Sequence, residues 1–259
     1  MNYGLYVAAS GMLVNMYRMD VLGNNLANIN TTAFKPDSTA FHWRDAERIE
    51  AGLTNVPAQK MLERLGGGVH LSPNVTLFRD GQLVETGNPL DLAIQGEGLF
   101  KFATGKGEGN ERMRFSRDGR LTINADGYLV HAASGMRELD EGDNPIRLEP
   151  TGEVVIQPDG SVEQAGSQVA RLGVVVPPDL SMLKKAGSNM FTLNSTAQAS
   201  LLPGAANLKQ GWLESSAVDG MSMMMELASA NGAIGANARM IRMHDDLMNT
   251  AINRFGRVA

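Results

Sequence analysis

The stretch NNLANINTTAF, from Asn24 to Phe34, marks the place where the chain changes character. It contains four asparagines, two threonines and no charged residue. Asparagine tolerates the left-handed backbone conformation that ends helices, and its amide can bind backbone groups that a helix end leaves unpaired. We therefore predict that a helix ends in this stretch and that the chain leaves it through a polar, uncharged segment.

The residues before this stretch have the periodicity of a helix that runs from Asn2 to about Asn28. Apolar residues recur along it every seven positions, with a partial second row three positions further on, as in helices that pack along a seam. The predicted seam residues are Leu5, Met12, Met19, Leu22, Leu26 and Ile29. Only Arg18 and Asp20 are charged among the first 34 residues, so the helix lacks the charged face that is typical of a solvated surface helix.

The C-terminal residues, from Val218 onward, repeat this pattern. Their apolar residues keep a strict seven-residue spacing. The seam residues are Leu227, Ile234, Ile241, Met248 and Phe255. At about 1.5 Å per residue, the two helices would be roughly 40 and 55 Å long. Helices at opposite ends of a chain with matching seams most simply pack on each other, and we predict a coiled-coil-like pair.

Both predicted helices contain glycines, namely Gly4, Gly11, Gly23, Gly232 and Gly235. Each glycine costs about 1 kcal/mol relative to alanine in a helix interior. Isolated helices are also marginal in water. We predict that the two ends are disordered or fraying in the isolated chain and become helical only when they are packed.

Between the helices the pattern is that of short β-strands separated by tight turns. Asp-Gly, the dipeptide that supplies the positive φ angles of hairpin turns, occurs four times. These turns are expected at Asp80-Gly81, Asp118-Gly119, Asp126-Gly127 and Asp159-Gly160. Candidate strands are Leu90–Ile94, whose alternation predicts a half-buried strand, and Leu121–Ile123, Val154–Ile156, Leu172–Val176 and Phe191–Leu193. The spacing predicts an all-β domain, sandwich or barrel-like.

The predicted fold class is therefore mainly β with long terminal α-helices. Residues 1–35 form the N-terminal helix and its asparagine-rich cap, and residues 216–259 form the C-terminal helix that packs with them. The all-β domain, residues 69–215, is inserted between the helices. Residues 36–68 form a connector, in which a short helix is expected at 46–53.

The composition excludes several classes of function. Without cysteine the chain has no disulfides, no thiol catalysis and no cysteine-bound metal. A net charge of −5 without a basic block argues against general nucleic-acid binding. No apolar run approaches the roughly 20 residues that span a bilayer. The N-terminus lacks the features of a secretory signal peptide, so we expect any export to use a route without a cleaved leader.

Motifs for catalysis or metal binding are not evident in the sequence. The four histidines are His42, His70, His131 and His244. None of them has a partner at the spacing of a helical or hairpin metal site. The densest acidic group, Glu138 to Asp143, is interpreted as a solvated loop, and the glycine-rich GKGEG at 105–109 as a hairpin tip. We predict no catalytic residues, no cofactor, no metal and no small-molecule substrate.

Three long stretches carry a family resemblance: AASGMLVNMYRMDVLGNNLANINTTAFK at 8–35, TGNPLDLAIQGEGLF at 86–100 and GWLESSAVDGMSMMMELASANGAIGANARMI at 211–241. They resemble the signatures of the rod and hook axial proteins of the bacterial flagellum. The residues that match the first two motifs are Asn24, Asn25, Leu26, Asn28, Thr31, Thr32, Phe34, Gly87, Asn88, Pro89, Leu90 and Asp91. One departure is Gly232 to Gly235, where the family usually has an Arg-Ala-Tyr-Glu-like stretch.

The resemblance implies a structural subunit of the flagellar basal body, without catalysis. Such proteins are exported unfolded through the flagellar type III apparatus, without a cleaved leader, and assemble into a hollow rod that crosses the periplasm. The implied partners are copies of the chain and other rod and hook proteins, with no nucleic acid and no membrane insertion. The middle region looks more like the proximal than the distal rod protein. The alternatives are a distal rod or hook subunit and, in a different class, a secreted β-rich adhesion module with oligomerising helical ends.

Overall fold

The computed structural model describes residues 3–45, 67–104, 113–149, 152–193, 198, 200–204 and 207–255. The predicted short helix at 46–53 and the predicted hairpin tip at 105–109 lie outside these residues. The chain forms two compact units. The helical unit consists of residues 1–27, 36–77 and 219–259, and the β unit consists of residues 28–35 and 78–218.

This division differs from the predicted one at several boundaries, of which those on either side of the predicted connector differ most. Residues 28–35, predicted as the cap of the first helix, belong to the β unit, where Phe34 and Lys35 are buried. Residues 69–77, predicted as the start of the all-β domain, belong to the helical unit because their strands pair there with strands from 37–44. Pattern in the sequence does not reveal which strand a segment pairs with.

The helical unit contains two long helices, α1 (Tyr3–Ala27) and α2 (Gly220–Phe255), which pack on each other. Their bounds lie close to those predicted from the heptad pattern. The unit also contains two small antiparallel sheets. One pairs β1 (Asp37–Ser38) with β4 (Val75–Thr76), and the other pairs β2 (Phe41–Arg44) with β3 (Gly68–Leu71).

Strand β3 lies against α1 at a glycine. A Cβ atom on Gly68 would lie 2.7 Å from Oγ of Ser10, and the φ angle of Gly68 is +106°. Glycine adopts this conformation without steric penalty, and it leaves room for the helix. The position therefore requires glycine for two independent reasons.

The β unit is built from short strands. They are β5 (Leu83–Glu85), β6 (Asp91–Gln95), β7 (Leu99–Ala103), β8 (Met113–Ser116), β9 (Gly119–Ile123), β10 (Leu129–His131), β11 (Arg137–Glu138), β12 (Val154–Ile156), β13 (Ser161–Gln164), β14 (Ser167–Arg171), β15 (Val174–Val176), β16 (Lys184–Lys185), β17 (Phe191–Thr192), β18 (Leu202–Pro203), β19 (Asn207–Gln210) and β20 (Trp212–Glu214). A short 3₁₀ helix, Leu180–Met182, follows β15.

Eleven of these described strands form one antiparallel sheet. Its order is β16-β17-β8-β7-β11-β10-β9-β6-β19, with β15 paired to β7 and β18 paired to β15. Strands β12, β13 and β14 form a three-stranded sheet, and β5 pairs with β20. The coarse fold class predicted from the sequence, mainly β with a long helix at each end, is confirmed.

The core of the β unit is made by apolar side chains from many strands. Leu92, Phe100, Phe102, Leu129 and Val162 are fully buried in one cluster. A second cluster is built around Phe115 and Phe191. Burial contributes about 25 cal/mol per Å² of apolar surface, so these two clusters are a main source of the stability of the unit.

Two of the four Asp-Gly dipeptides form the predicted hairpin turns. Gly127 (φ +82°) joins β9 to β10, and Gly160 (φ +89°) joins β12 to β13. The prediction is wrong for Gly81 and Gly119, since the strands on either side of each glycine pair with other strands. A Cβ atom on Gly81 would collide with the carbonyl oxygen of Ser215, and one on Gly119 would collide with that of Leu92. These two glycines permit close backbone approach instead of a turn.

Strand β6 is buried along most of its length, so the prediction of a half-buried strand is wrong. Asp91, Leu92, Ala93 and Ile94 are all buried, because β6 is paired on one side with β9 and on the other with β19 and is covered on both faces. The apparent polar face of the strand consists of a small residue, Ala93, and of an aspartate whose oxygens are hydrogen-bonded.

The acidic group at 138–143 is not entirely a solvated loop. Glu138 is fully buried in β11, and neither of its carboxylate oxygens has a hydrogen-bond partner among the described residues. Burial raises the pKa of Glu138 well above its usual value, and the nearby charge of Lys101 opposes this only in part. Glu141 and Asp143 are exposed, as predicted. The sequence alone does not show which acid of an acidic run is buried, because burial depends on the strands that pack around it.

Candidate assembly surface

The two helices of the helical unit run antiparallel. A Cβ atom on Gly4 would meet the ring of His244, and one on Gly11 would lie 3.1 Å from the side-chain nitrogen of Asn237. Further along α1, Nη2 of Arg18 lies 2.9 Å from Oε2 of Glu226. As residue numbers rise along α1, the facing residue numbers in α2 fall. Gly4 and Gly11 lie where α2 approaches α1 closely.

Most of the predicted seam residues lie partly covered along the two helices. Leu22 is buried. The half-buried seam residues are Leu5, Met12, Met19, Leu26, Leu227, Ile234 and Ile241. Two alanines, Ala8 in α1 and Ala230 in α2, are buried between these seam residues. Their small side chains allow the two helices to approach each other. The heptad spacing along this stretch coincides with the covered sides of α1 and α2.

Three predicted seam residues lie elsewhere. Met248 is 45% exposed, because α1 begins opposite His244 and α2 continues past it. Phe255 is the last residue of α2, and its side chain is outside the described part of the chain. Ile29 follows the end of α1, belongs to the β unit and is exposed. The helix pair alone does not cover the full length of the predicted seam.

Large apolar side chains also cover the outer faces of the two helices. Leu13 and Met225, for example, are each 64% exposed. The exposed set on the helices is Tyr6, Val7, Leu13, Met16, Tyr17, Met221, Met224, Met225, Met240, Met243, Leu247, Met248 and Ile252. Many large apolar side chains exposed along two helices are typical of a surface that binds a partner. We call this set the outer apolar face.

Each helix also contains a glycine beside open space, Gly23 in α1 and Gly232 in α2. Added Cβ atoms on Gly232 and Gly23 would meet no atom within 4 Å. These two glycines are therefore not required by the packing of the described chain. Methionine, which is common on the outer apolar face, adapts to neighbours of different shape.

Polar side chains near the ends of the helices bind backbone groups. At the end of α1, the buried side chain of Asn25 donates to the carbonyl of Asp37 (2.8 Å) and accepts from its amide (3.0 Å). At the start of α2, the carboxylate of Asp219 accepts from the amide of Met221. An N-cap such as Asp219 typically contributes about 1 kcal/mol. Asn25 therefore satisfies backbone groups, as asparagine was predicted to do, but those groups belong to strand β1 and not to the end of the helix.

Residues 28–35, which we call the linker anchor, fold into the β unit. The left-handed conformation expected at asparagine occurs instead at Ala33, with a φ angle of +53°. The amide of Ala33 donates to the carbonyl of Glu214, and the side chain of Asn189 donates to the carbonyl of Thr32. Phe34 is buried, with the ammonium group of Lys185 4.5 Å from its ring centroid. The strained residue persists because several contacts hold it.

A buried ion network secures the linker anchor. Oε1 of Glu214 lies 2.7 Å from Nζ of Lys35, and Oε2 of Glu214 lies 2.8 Å from Nε of Arg117. The three side chains are 1%, 2% and 6% exposed respectively. The guanidinium of Arg117 also donates to the carbonyls of Gly96 and Gly98. Each charge therefore has a partner, as a buried charge requires.

The second sequence motif forms a turn that leads into β6. The hydroxyl of Thr86 and the amide group of Asn88 donate to the two carboxylate oxygens of Asp91, at 2.7 and 3.0 Å. Gly87 supplies a φ angle of +72°. Leu90 and Pro89 complete the turn, and the carbonyl of Pro89 accepts from Gln210. The motif shapes the entry to the sheet and satisfies one buried aspartate.

The described residues contain no group of three or more histidines, cysteines or acids able to hold a metal ion. Among the helices described, none combines the length and apolar character that crossing a bilayer demands.

Comparison with known proteins points to one group. Residues 5–35 match the family model for flagella basal body rod proteins, and residues 209–254 match the model for the C-terminal region of flagellar basal body rod FlgEFG proteins. The chain is 33% identical over 259 residues, all of both chains, to the flagellar basal-body rod protein FlgF of Caulobacter vibrioides. It is 30% identical over 258 residues to the rod protein FlgG of Agrobacterium fabrum, covering 94% of this chain and 95% of that one. A hook-basal body complex protein of Bacillus subtilis, FlhO, is 27% identical over 98% of this chain and 99% of its own.

Proposed function

Since this chain belongs to the family of flagellar basal-body rod proteins, we propose that its terminal helices polymerise with those of neighbouring subunits into the hollow shaft of the rod. It is a structural subunit of the flagellar basal body, as its sequence resemblance predicts. The shaft would transmit torque across the periplasm, and the subunit would have no catalytic role.

The observation that carries the proposal is the outer apolar face. Its side chains are exposed although the helices are already packed on each other. Fully burying one large apolar side chain contributes about 1.5–3 kcal/mol. Covering several of them with neighbouring helices offsets the loss of translational freedom and the cost of ordering helix ends that are marginal alone. A contact of this kind that does not close into a ring grows into a filament.

The pairing of the seam is part of the proposal. Leu5, Met12 and Met19 would form a coiled-coil-like core with Ile234 and Ile241, while Met248 and Phe255 would be covered by another subunit. Because α2 continues to Phe255, past His244 where α1 begins, Met248 and Phe255 have no part of α1 opposite them. The helix pair would thus supply part of the shaft by itself and leave its far end for a neighbour.

The position in the rod and the route of delivery are proposals too. We favour the proximal rod, because of the character of the middle region and because the match to FlgF of Caulobacter vibrioides spans both chains completely. Export through the flagellar type III apparatus without a cleaved leader would bring the chain unfolded to its site. The partners would be copies of the chain and other rod and hook proteins. The alternative of an adhesion module receives no support from the comparisons.

The test is assembly in a flagellated host whose own gene is deleted. Leu13→Asp combined with Met243→Asp places charges on the outer apolar face, and we expect loss of motility and no rod in isolated basal bodies. Ile241→Asp, in the seam, should have the same effect, with a β unit that folds normally. Asn249→Asp adds a charge at an exposed polar position of α2 and should leave motility intact. Full motility of the double variant would overturn the proposal.

Proteolysis of the purified chain tests the state of the helices before assembly. The prediction that the ends are loosely ordered implies rapid trimming, whereas the β unit should resist. Because Phe34 and Lys35 are buried in the β unit, the N-terminal cut should fall before Asn28. Equal resistance of both units would contradict the prediction of assembly-dependent ordering.

A further inference from the structure

We infer that His42 and His70 form a binding site for a divalent transition-metal ion. They lie directly opposite each other on the antiparallel strands β2 and β3. Both side chains are exposed. In the sequence they are 28 positions apart, and the connection between their strands has no hairpin pattern, so the spacing of the histidines gave no sign of the pair.

The register places both imidazoles on one face of this sheet. Directly opposite residues of an antiparallel pair project to the same side. The amide of Ser72 donates to the carbonyl of Ala40, so by the alternation of the ladder His42 and His70 are a hydrogen-bonded pair, with Cα atoms about 5.5 Å apart. Two imidazole nitrogens bound to one ion, each at about 2.0–2.1 Å, are separated by roughly 3.3 Å. Two histidine side chains that project from this backbone spacing can converge to that separation.

The ligand type indicates the class of ion. Neutral imidazole suits Zn²⁺, Ni²⁺ and Cu²⁺, whereas Mg²⁺ and Ca²⁺ prefer oxygen ligands. Two protein ligands leave the remaining positions to water. Arg44 is on the same face, two residues from His42, and its positive charge favours a weak site over a tight one.

The bound ion would link β2 and β3, whose pairing by itself contributes little stability. A two-stranded sheet is marginally stable in water by itself. An ion that binds only the paired arrangement stabilises it in proportion to the logarithm of the ion concentration relative to the dissociation constant. The pair β2–β3 also lies against α1 through Gly68 and Ser10, so the ion would stabilise a part of the helical unit. This inference does not depend on the proposed function.

The experiment is a titration of the tag-free full chain with ZnCl₂, followed by calorimetry and by the NMR signals of the histidine rings. We expect one ion per chain, with shifts of the His42 and His70 rings. The rings of His131, which is buried, and of His244, which packs against Gly4, should not move. Slower hydrogen exchange of the His42 and His70 amides should accompany binding. Absence of binding at millimolar Zn²⁺, or shifts confined to other residues, would overturn the inference.

Variants distinguish a shared ion from two separate imidazoles. His42→Ala and His70→Ala should each weaken binding by about tenfold or more, because the second ligand acts at high effective concentration. His244→Ala is the matched control and should bind as the parent does. If each single variant instead keeps the affinity and halves the stoichiometry, the histidines bind independently and the inference fails.

A register variant provides a second, independent check. His70→Ala combined with Leu71→His moves the imidazole by one position, and a shift of one residue along a strand turns a side chain to the opposite face. The double variant keeps four histidines in the chain and should still lack the shared two-histidine site. Restored binding would show that histidine content, and not the register, explains the affinity.

Discussion

The β unit and the helical unit of this chain differ in how far their large apolar and charged side chains are buried. In the β unit, Phe100 and Phe115 are fully covered and the charges of Glu214 and Lys35 are paired in the interior. In the helical unit, large apolar side chains such as Tyr6 and Met225 remain exposed, and the ion pair of Arg18 and Glu226 lies near the surface. Apart from Glu138, the β unit largely covers and pairs its own groups, whereas the helical unit leaves apolar surface exposed. Under the proposed function, this exposed surface is the part of the chain that neighbouring subunits cover.

The buried and surface ion pairs should differ most when an acid is neutralised. Glu214→Gln leaves Lys35 and Arg117 as buried cations, and breaking such a network by removing one partner costs about 3–5 kcal/mol. The matched change Glu226→Gln, at the surface pair with Arg18, should cost about 0.2–1 kcal/mol.

Urea unfolding measures both variants, with tryptophan fluorescence for Glu214→Gln in the β unit and far-UV circular dichroism for Glu226→Gln in α2. In a Trp43→Phe background, Trp212 in β20 remains as a fluorescence reporter of the β unit, since the chain has two tryptophans. A loss below about 1 kcal/mol for Glu214→Gln would mean that the network does not hold the linker anchor.

Replacing Gly119 by alanine should destabilise the β unit, because the backbone of Leu92 passes close to it. A Cβ atom on Gly119 would collide with the carbonyl of Leu92, and relief requires a backbone shift that costs about 1–3 kcal/mol. Gly142→Ala is the control, because its nearest neighbour is the flexible side chain of Asn144 at 3.2 Å. Chemical unfolding should show a clear loss for Gly119→Ala and little change for Gly142→Ala. Equal losses would indicate that Gly119 serves another purpose.

Buried acids should give the β unit a defined pH dependence. The pKa of Glu138 is raised in the folded chain, so folding retains a proton there; the stabilising effect is complete below the unfolded pKa near 4.5 and is lost as the pH rises through the folded pKa. Burial disfavours the charged form of Asp118, but the adjacent His131 ring and the hydrogen bonds from Arg120 together outweigh it and lower the pKa of Asp118. Its contribution is therefore present above pH 3.8 and is lost as the pH falls through the lowered value.

The variant Glu138→Gln isolates the first effect. It keeps the shape of the side chain and removes the proton that titrates, so it should flatten the decline in stability above pH 4.5 and raise stability at alkaline pH. Asp126→Asn, at an exposed acid in the turn between β9 and β10, is the comparison. Denaturant midpoints from pH 4.5 to 9 measure the slope. An unchanged slope for Glu138→Gln would show that another group causes it.

The smallest expected effect is a gain in helix stability, at a glycine of α2. In the isolated chain, Gly232→Ala should stabilise α2 by up to about 1 kcal/mol, because nothing lies within 4 Å of the added methyl group. Gly11→Ala should gain less, since Asn237 is in the way at 3.1 Å. Hydrogen exchange of α2 amides measures both. If a neighbouring subunit packs on the outer apolar face, Gly232→Ala should impair assembly although the free chain is more stable.

Local pattern was sufficient for several features of this molecule. The heptad spacing predicted α1 and α2, the Asp-Gly turns at 126 and 159 predicted two hairpins, and the motifs at the two ends predicted the family. These features depend on residues that are close in the sequence. Periodicity and turn chemistry act over a few residues, so they can be read without knowing the fold.

Other features depend on which distant segments meet, and only the tertiary structure decided them. Lys35 pairs with Glu214, 179 positions away. His42 stands opposite His70, and Glu138 is buried although its acidic neighbours are exposed. Strand register and coverage by other strands arise from the packing of the entire chain. The sequence by itself determined the helices, the turns and the family, whereas burial, charge pairing and the histidine pair were set by long-range contacts that no local pattern encodes.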